Sequence, residues 1–449
     1  MTRHMATMAL AWLAALPASA GAAPASDTPA WDAAAARQQI DSALERSYPS
    51  IEALYRDIHA HPEVAFQEQR TAALLAARIR KLGFTVTEHV GGTGVVALYR
   101  NGPGPVVLVR TELDGLPMEE KTGLPFASRY KQLVDGKETP TAHSCGHDVH
   151  MAWWIATAQA LVAMKSRWKG TLLFVAQPAE ETVSGAKAML ADPAYAAFPK
   201  PDYAFAAHVG PLPNGVVVVK DGPITSASDA VAIIFHGRGA HGSMPEKSID
   251  PILMGVHFAS DVQTVISRQK NPGDFGVVTI GAFNAGTVDN IIPDEAELKL
   301  TLRSHDEATR KLLLAGVERT AKAAAAMADA PPPTITRVHG SQAVVNSGPL
   351  SAKTYKVMQT AFGSQAQFAP AYMPAGPASE DYSEFLGNGV QSVYFIIGGT
   401  DPKMIAQYQA EGKPLPVNHS PYFAPDADFA IRRGAEVLSL AVMMAAPAH

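Results

Sequence analysis

Residues 143–150 read His-Ser-Cys-Gly-His-Asp-Val-His, a dense run of groups that bind cations. Cys145 and His147 flank a glycine, so thiolate and imidazole can turn toward one ion without helical geometry, and that donor pair suits zinc or a similar borderline metal. A Cys-x-His alone is a common accident of sequence. Here Asp148 and His150 stand beside it, and further acidic groups occur where a site would draw on them. His150 reads equally well as a further ligand or as a structural partner. Cys145 is the only cysteine of the chain, which excludes an internal disulfide and leaves a buried inert thiol as the alternative to a ligand.

Glu180 and Glu181 follow the apolar run 171–176 through Gln177-Pro178-Ala179. Adjacent carboxylates usually mark a solvated surface. After a buried strand they emerge inside a cleft instead, where neighbouring side chains point different ways. One can hold an ion and the other can move protons, the division that hydrolysis needs. Two other apolar runs end similarly: 106–110 leads into Glu112 and Asp114, and 203–207 into His208. His419, in Asn418-His419-Ser420-Pro421, would pass for an ordinary loop histidine by itself.

Ligands of an open α/β sheet collect beyond the carboxyl ends of its strands, so these groups can meet if the runs before them are neighbouring strands. Runs at 95–99, 106–109, 171–176, 203–207 and 392–397 alternate with helical stretches such as 151–165, and 31–82 reads as helical with breaks at Pro49 and Pro62. The pattern predicts an α/β domain with a layered, mostly parallel sheet. The middle differs: strands at 229–236, 277–283 and 296–303 are interleaved with helices at 250–268 and 307–330, the last stopped by three prolines at 331–333. Two strand-helix-strand sets in so short a span predict an inserted α+β satellite of the ferredoxin-like kind. Residues 31–224 and 342–449 are assigned to the metal-binding catalytic domain and 225–341 to the satellite.

The balance of the chain narrows the partners. With 47% hydrophobic residues and a net charge of −5 spread without blocks, the sequence has ample core and no electrostatic footprint for nucleic acid or anionic membrane. A small molecule is the expected partner. Arg3 and His4, the apolar run 5–16 and the small residues 18–20 read as a signal peptide over 1–23, too short to span a bilayer. Export, to the periplasm or the medium if the source is bacterial, is the expected localisation.

Together, RTELDGLP (110–117), HSCGHDVH (143–150), QPAEE (177–181), His208, GRGAHGSMP (237–245), NIIP (290–293), SEDYSEF (379–385) and NHSPYF (418–423) resemble the aminoacylase/carboxypeptidase G superfamily of metallopeptidases, in its hippurate hydrolase and auxin-conjugate amidohydrolase branch. The likeness runs from about residue 51 onward. It implies a zinc-peptidase-like catalytic domain holding two divalent ions, zinc first, with manganese, cobalt or nickel as alternatives. By position, Cys145, His147, Glu181, His208 and His419 would be the ligands, with Cys145 the bridge. Glu180 would be general base and acid. Asp114 would orient a ligating histidine, His241 would stabilise the oxyanion, and Asn290 and Arg303 would bind the substrate carboxylate.

The resemblance further implies an amidohydrolase of N-acyl amino acids, and a homodimer through the satellite. A carboxypeptidase or dipeptidase on short peptides is the runner-up, and an exported ligand-binding protein the alternative of another class. The chain departs from the branch at Glu112 (usually aspartate), at Ser144 (usually alanine) and in a longer loop at 130–141.

Overall fold

Unbroken apolar runs such as Val106-Val107-Leu108-Val109 leave neither face for water, and they occupy the middle of an eight-stranded sheet. In the computed structural model, which describes residues 32–387 and 389–448, the spatial order of this sheet is Thr85–Val90, Gly94–Asn101, Gly170–Gln177, Val106–Glu112, Tyr203–Pro213, Gln391–Thr400, Val217–Lys220, Ala366–Ala369. The four strands from Gly170–Gln177 to Gln391–Thr400 run parallel, and antiparallel pairings lie outside them. Glu112 is in register with Gln177. Glu112 and His208 each stand three residues beyond the paired Val109 and Phe205. Parallel pairing therefore delivers these groups to one edge of the sheet. The expected signal peptide, 1–23, lies outside the described residues.

Helices Ala33–Ala60, His147–Ala163 and Ala427–Ala445 cover one face. The middle helix is buried nearly all round, with Trp153 and Trp154 fully enclosed. Trp153 lies so close to Gly434 that a Cβ there would sit 2.2 Å from the ring. Two expectations need correction here. The helix placed at 151–165 begins at His147, so His147, Asp148 and His150 belong to its first turns. Pro49 does not interrupt Ala33–Ala60. Tyr48, Ile51 and Leu54 around it are buried, and that packing outweighs the ~3 kcal/mol an interior proline costs. The break expected at Pro62 is present, between Ala33–Ala60 and Gln69–Arg80.

The inserted part has its own antiparallel sheet, in the order Gly276–Ala285, Glu295–Ser304, Ala227–His236, Thr334–Ser341. Helices Pro251–Asp261 and Glu307–Met327 pack on one face over a separate apolar core. This is the βαββαβ arrangement of ferredoxin-like folds. In Glu295–Ser304, Leu298, Leu300 and Leu302 point into that core, while Thr301 and Arg303 alternate onto the other face. The 130–141 loop is a hairpin of Lys131–Val134 and Lys137–Pro140. Among the described residues no helix is long and apolar enough to cross a membrane.

Candidate metal centre

Gly146 sets how the Cys-x-His segment turns. Its φ of 96° suits glycine, and a Cβ would lie 2.5 Å from Val209 Cγ1. The chain passes through it from loop to helix, leaving Cys145 in the loop and His147 at the first helical position. His147 Nδ1 donates to the Asp114 carbonyl at 2.7 Å, so in the neutral ring Nε2 is the nitrogen left for a ligand; it is buried and has no hydrogen-bond partner. His208 is fixed the same way, with Nδ1 donating to the Val209 carbonyl at 2.8 Å and Nε2 3.3 Å from Cys145 Sγ.

Asp114 acts on two neighbours. It holds His147 chiefly through its carbonyl, its Oδ1 being 3.5 Å from Nδ1, and its Oδ2 accepts the Glu181 N–H at 2.9 Å. Glu181 Oε1 is also buried without a hydrogen-bond partner, 3.8 Å from His147 Nε2. Its Oε2 is 3.3 Å from His419 Nε2, and Glu180 Oε2 is 3.8 Å from His147 Nε2. Asn418 delivers His419: its Nδ2 donates to the carbonyls of Cys145 at 2.8 Å and Val209 at 3.1 Å, and the His419 N–H donates to the Ser144 carbonyl at 2.8 Å.

Among the groups of potential ligand atoms within 4.8 Å of one another, two share Cys145, Cys145–His147–His208 and Cys145–Glu181–His419, and a third, His147–Glu180–Glu181, adjoins both. Ligands bound at about 2.0–2.3 Å stand roughly 3–4 Å from one another around an ion, and one pair in each of the first two groups, Cys145 Sγ with His208 Nε2 and Glu181 Oε2 with His419 Nε2, is 3.3 Å apart. Buried unpaired acceptors are costly, and His147 Nε2 and Glu181 Oε1 converge on the same point. The residues fit a divalent cation.

The charges say the same. Burial, then Glu380 and Glu181, hold the Glu180 carboxyl well above the usual range. Burial lifts Glu181 to about 7 against the pull of His147. The Cys145 thiol is pushed far up by burial and by the carboxylates of Glu181 and Glu180. Burial alone would lower His147, but its bond to Asp114 and the charges of Glu112 and Glu181 bring it to about 10. Burial and then His150 take His208 down to about 3, so it stays neutral. The pocket wants positive charge at its centre, from protons or from an ion.

Metal binding is therefore expected to release protons and to weaken as pH falls, first below about 10, where His147 takes up a proton the ion must displace, and further through about 7, where Glu181 does the same. Calorimetric titration in buffers of different ionisation enthalpy measures this, and a pH-independent affinity contradicts it. Cys145→Ala removes the atom common to both groups. It is expected to weaken metal binding by at least the roughly 10–100-fold that loss of a mere supporting partner costs. Unchanged metal content by elemental analysis would exclude thiolate ligation.

The sequence profile of peptidase family M20/M25/M40 matches residues 108–439. The chain belongs to this family. Thermostable carboxypeptidase 1 of Saccharolobus solfataricus is 33% identical over 378 residues, 83% of this chain and 90% of that protein. The hippurate hydrolase of Campylobacter jejuni is 38% identical over 264 residues, 58% of this chain and 66% of that one. Among solved structures, a Bacillus subtilis protein described as a dinuclear metal-binding peptidase of the M20 family superimposes with a TM-score of 0.69 at 27% identity, covering 89% of this chain and 98% of that one. The M20 chain is thus a hydrolase of an amidohydrolase and peptidase family, with a catalytic domain and an inserted satellite.

Three expected site residues stand apart in this M20 chain. His241 is exposed and pairs with Ile291 in a two-residue ribbon, which sets Asn290 beside it, and the Gly242 N–H donates to the Asn290 carbonyl at 2.8 Å. Arg303 is half-buried, with Nη1 donating to the Leu302 carbonyl at 2.9 Å and Thr301 Oγ1 at 2.5 Å. Among the described residues none of the three bonds to the five ligand candidates.

The structure decides between the two readings of His150 and adds partners that the sequence did not show. His150 is spoken for at both nitrogens, Nδ1 donating to Glu112 Oε2 at 2.9 Å and Nε2 accepting the Val209 N–H at 3.0 Å, so it is a structural partner. The extra methylene of Glu112 lets it touch His150 and Arg110 together. Arg110, wholly buried, also donates to Gln177 at 2.9 Å, Glu380 at 2.7 and 3.0 Å, and Asp381 at 3.3 Å. Asp148 accepts from His59 Nδ1 at 2.6 Å, and His59 Nε2 lies 3.1 Å from Glu120. No local signal marks these, because every partner but Glu112 is distant in sequence.

Proposed function

We propose that this M20 hydrolase is an exported amidohydrolase that cleaves the amide bond of N-acyl amino acids with two divalent cations, zinc first, held by Cys145, His147, Glu181, His208 and His419 with Cys145 shared. The observation that carries the reading is a buried carboxyl, Glu180, 3.8 Å from His147 Nε2 and packed against two ligand groups with one thiol in common. The likeness to a hippurate hydrolase supports the substrate class. Membership of a hydrolase family sets aside the ligand-binding protein.

When bound, the ions supply a Lewis acid that polarises the amide carbonyl and makes water easier to deprotonate. Glu180 takes the proton of the attacking water and returns it to the departing amine; a carboxyl whose affinity for protons is raised by burial suits both halves. His241 Nδ1 accepts from the Ser243 N–H at 3.1 Å and hydroxyl at 2.8 Å. The neutral ring then carries its proton on Nε2, ready to donate to the developing oxyanion once the satellite brings it over the substrate. Asn290 and Arg303 would receive the substrate carboxylate.

The test is release of amine from matched N-acyl amino acids, their C-terminal amides and dipeptides, with and without chelator. Hydrolysis of the free acids that chelation abolishes supports the reading. Faster cleavage of dipeptides would move it to the carboxypeptidase or dipeptidase that the thermostable relative suggests, and no release from any would end it. Cell fractionation tests export. A homodimer through the satellite, on which Leu253, Val256, Phe283 and Ile291 are exposed, is tested by light scattering.

A further inference from the structure

Glu68 is a fully buried carboxylate that belongs neither to the ligand groups nor to the acid/base step. It stands at the cap position of helix Gln69–Arg80, where a side chain ordinarily accepts from the first free helical N–H groups. Glu63 does that work instead, accepting the Arg70 N–H at 3.1 Å and the Thr71 N–H at 2.7 Å. Glu68 is thereby free to point elsewhere. Its Oε1 accepts the Ala179 N–H at 2.8 Å, and its Oε2 accepts the Thr93 hydroxyl at 2.6 Å.

Ala179 immediately precedes Glu180 and has φ 51°, a left-handed conformation that a residue with a Cβ keeps only when its surroundings enforce it. On the other side of Glu180, the Glu181 N–H ends on Asp114 Oδ2 at 2.9 Å. The turn is closed by the Val183 N–H on the Glu180 carbonyl at 2.7 Å and by the Gly185 N–H on the Ala179 carbonyl at 3.1 Å. Buried carboxylates from two distant parts of the chain thus grip the amides on either side of Glu180.

We propose that Glu68 is a positioning residue for Glu180: it locks Ala179 in its left-handed conformation and so fixes where the acid/base carboxyl points. The proposal rests on the acid/base reading of Glu180. Glu68 touches no reacting atom, so its removal acts on turnover through misplacement, which costs roughly 10–100-fold when a reacting group shifts by about an ångström.

The experiment compares Glu68→Ala, Glu68→Gln and Thr93→Val in the full, metal-loaded chain. It measures kcat and KM on an N-acyl amino acid, bound metal, thermal midpoint, and amide hydrogen exchange over 178–185. Glu68→Ala is expected to lower kcat roughly 10–100-fold, with KM and metal content within about twofold and faster exchange confined to that turn. Glu68→Gln keeps an oxygen for Ala179 and can donate to a reoriented Thr93 hydroxyl, so it should recover most of kcat. Thr93→Val should show a smaller loss with the same exchange signature.

Wild-type kcat in Glu68→Ala overturns the proposal, as does a loss that follows metal content or global unfolding, or a glutamine variant no better than alanine. Should the alanine variant not fold, unchanged exchange at 178–185 in Thr93→Val overturns it alone. Exchange needs no substrate, so a chain that hydrolyses none of the amides would end the functional reading and still leave the positioning role decided.

Discussion

Replacing Glu180 by Gln is expected to leave the fold and the bound metal in place while lowering kcat by on the order of 10²–10⁴-fold, the range for loss of a general acid/base. The amide fills the same space and cannot take up a proton. It also removes one carboxyl from a crowded set, since Glu180, Glu380 and Asp381 lie within 4.8 Å of one another. The thermal midpoint should therefore hold or rise. Turnover on the best substrate, elemental analysis and calorimetry on the same preparation check the three parts. Turnover near wild type would remove Glu180 from the chemistry, and lost metal would make it a ligand.

Arg110→Met is expected to destabilise the chain by about 3–5 kcal/mol at neutral pH, as when one partner of a buried ion pair is removed. The guanidinium is wholly buried and lies against the carboxylates of Glu112, Glu380 and Asp381. Methionine fills the space but leaves those charges unopposed. The sign with pH follows. Burial already lifts Asp381 to about 7, against the pull of Arg110, and without the arginine it rises further. The carboxyls neutralise themselves as pH falls, so the gap to wild type should shrink below about pH 7 and widen above it. Urea unfolding of both proteins at several pH values, with metal chelated, measures it. A gap constant with pH would mean that lost packing, not charge, is the cause.

Part of the ligand set carries local signals, Cys145 and His147 in their spacing and Glu181 and His208 in the apolar runs before them, whereas His419 entered only through the family resemblance. The α/β and βαββαβ layers were legible from local signals too. Arg110 was not, since on a strand it resembles any other arginine, and its meaning depends on Glu380, 270 positions away. Glu68 meets Ala179 across 111 positions. The early start of the His147 helix escaped notice because its cap is a left-handed glycine rather than one of the side-chain caps that announce a helix. His208 looked like a strand end, yet its strand runs on to Pro213. Backbone pairing, not the apolar run, sets that limit.

The Asn418 amide that clasps Cys145 and Val209 spans 273 and 209 positions, with the whole satellite threaded between His208 and His419. Closing so wide a loop costs chain entropy that contacts near in sequence do not. A chain made from its N-terminus has its thiol and the first histidines in hand before the final imidazole exists. Until that imidazole arrives, the grouping of Cys145 with Glu181 and His419 is incomplete.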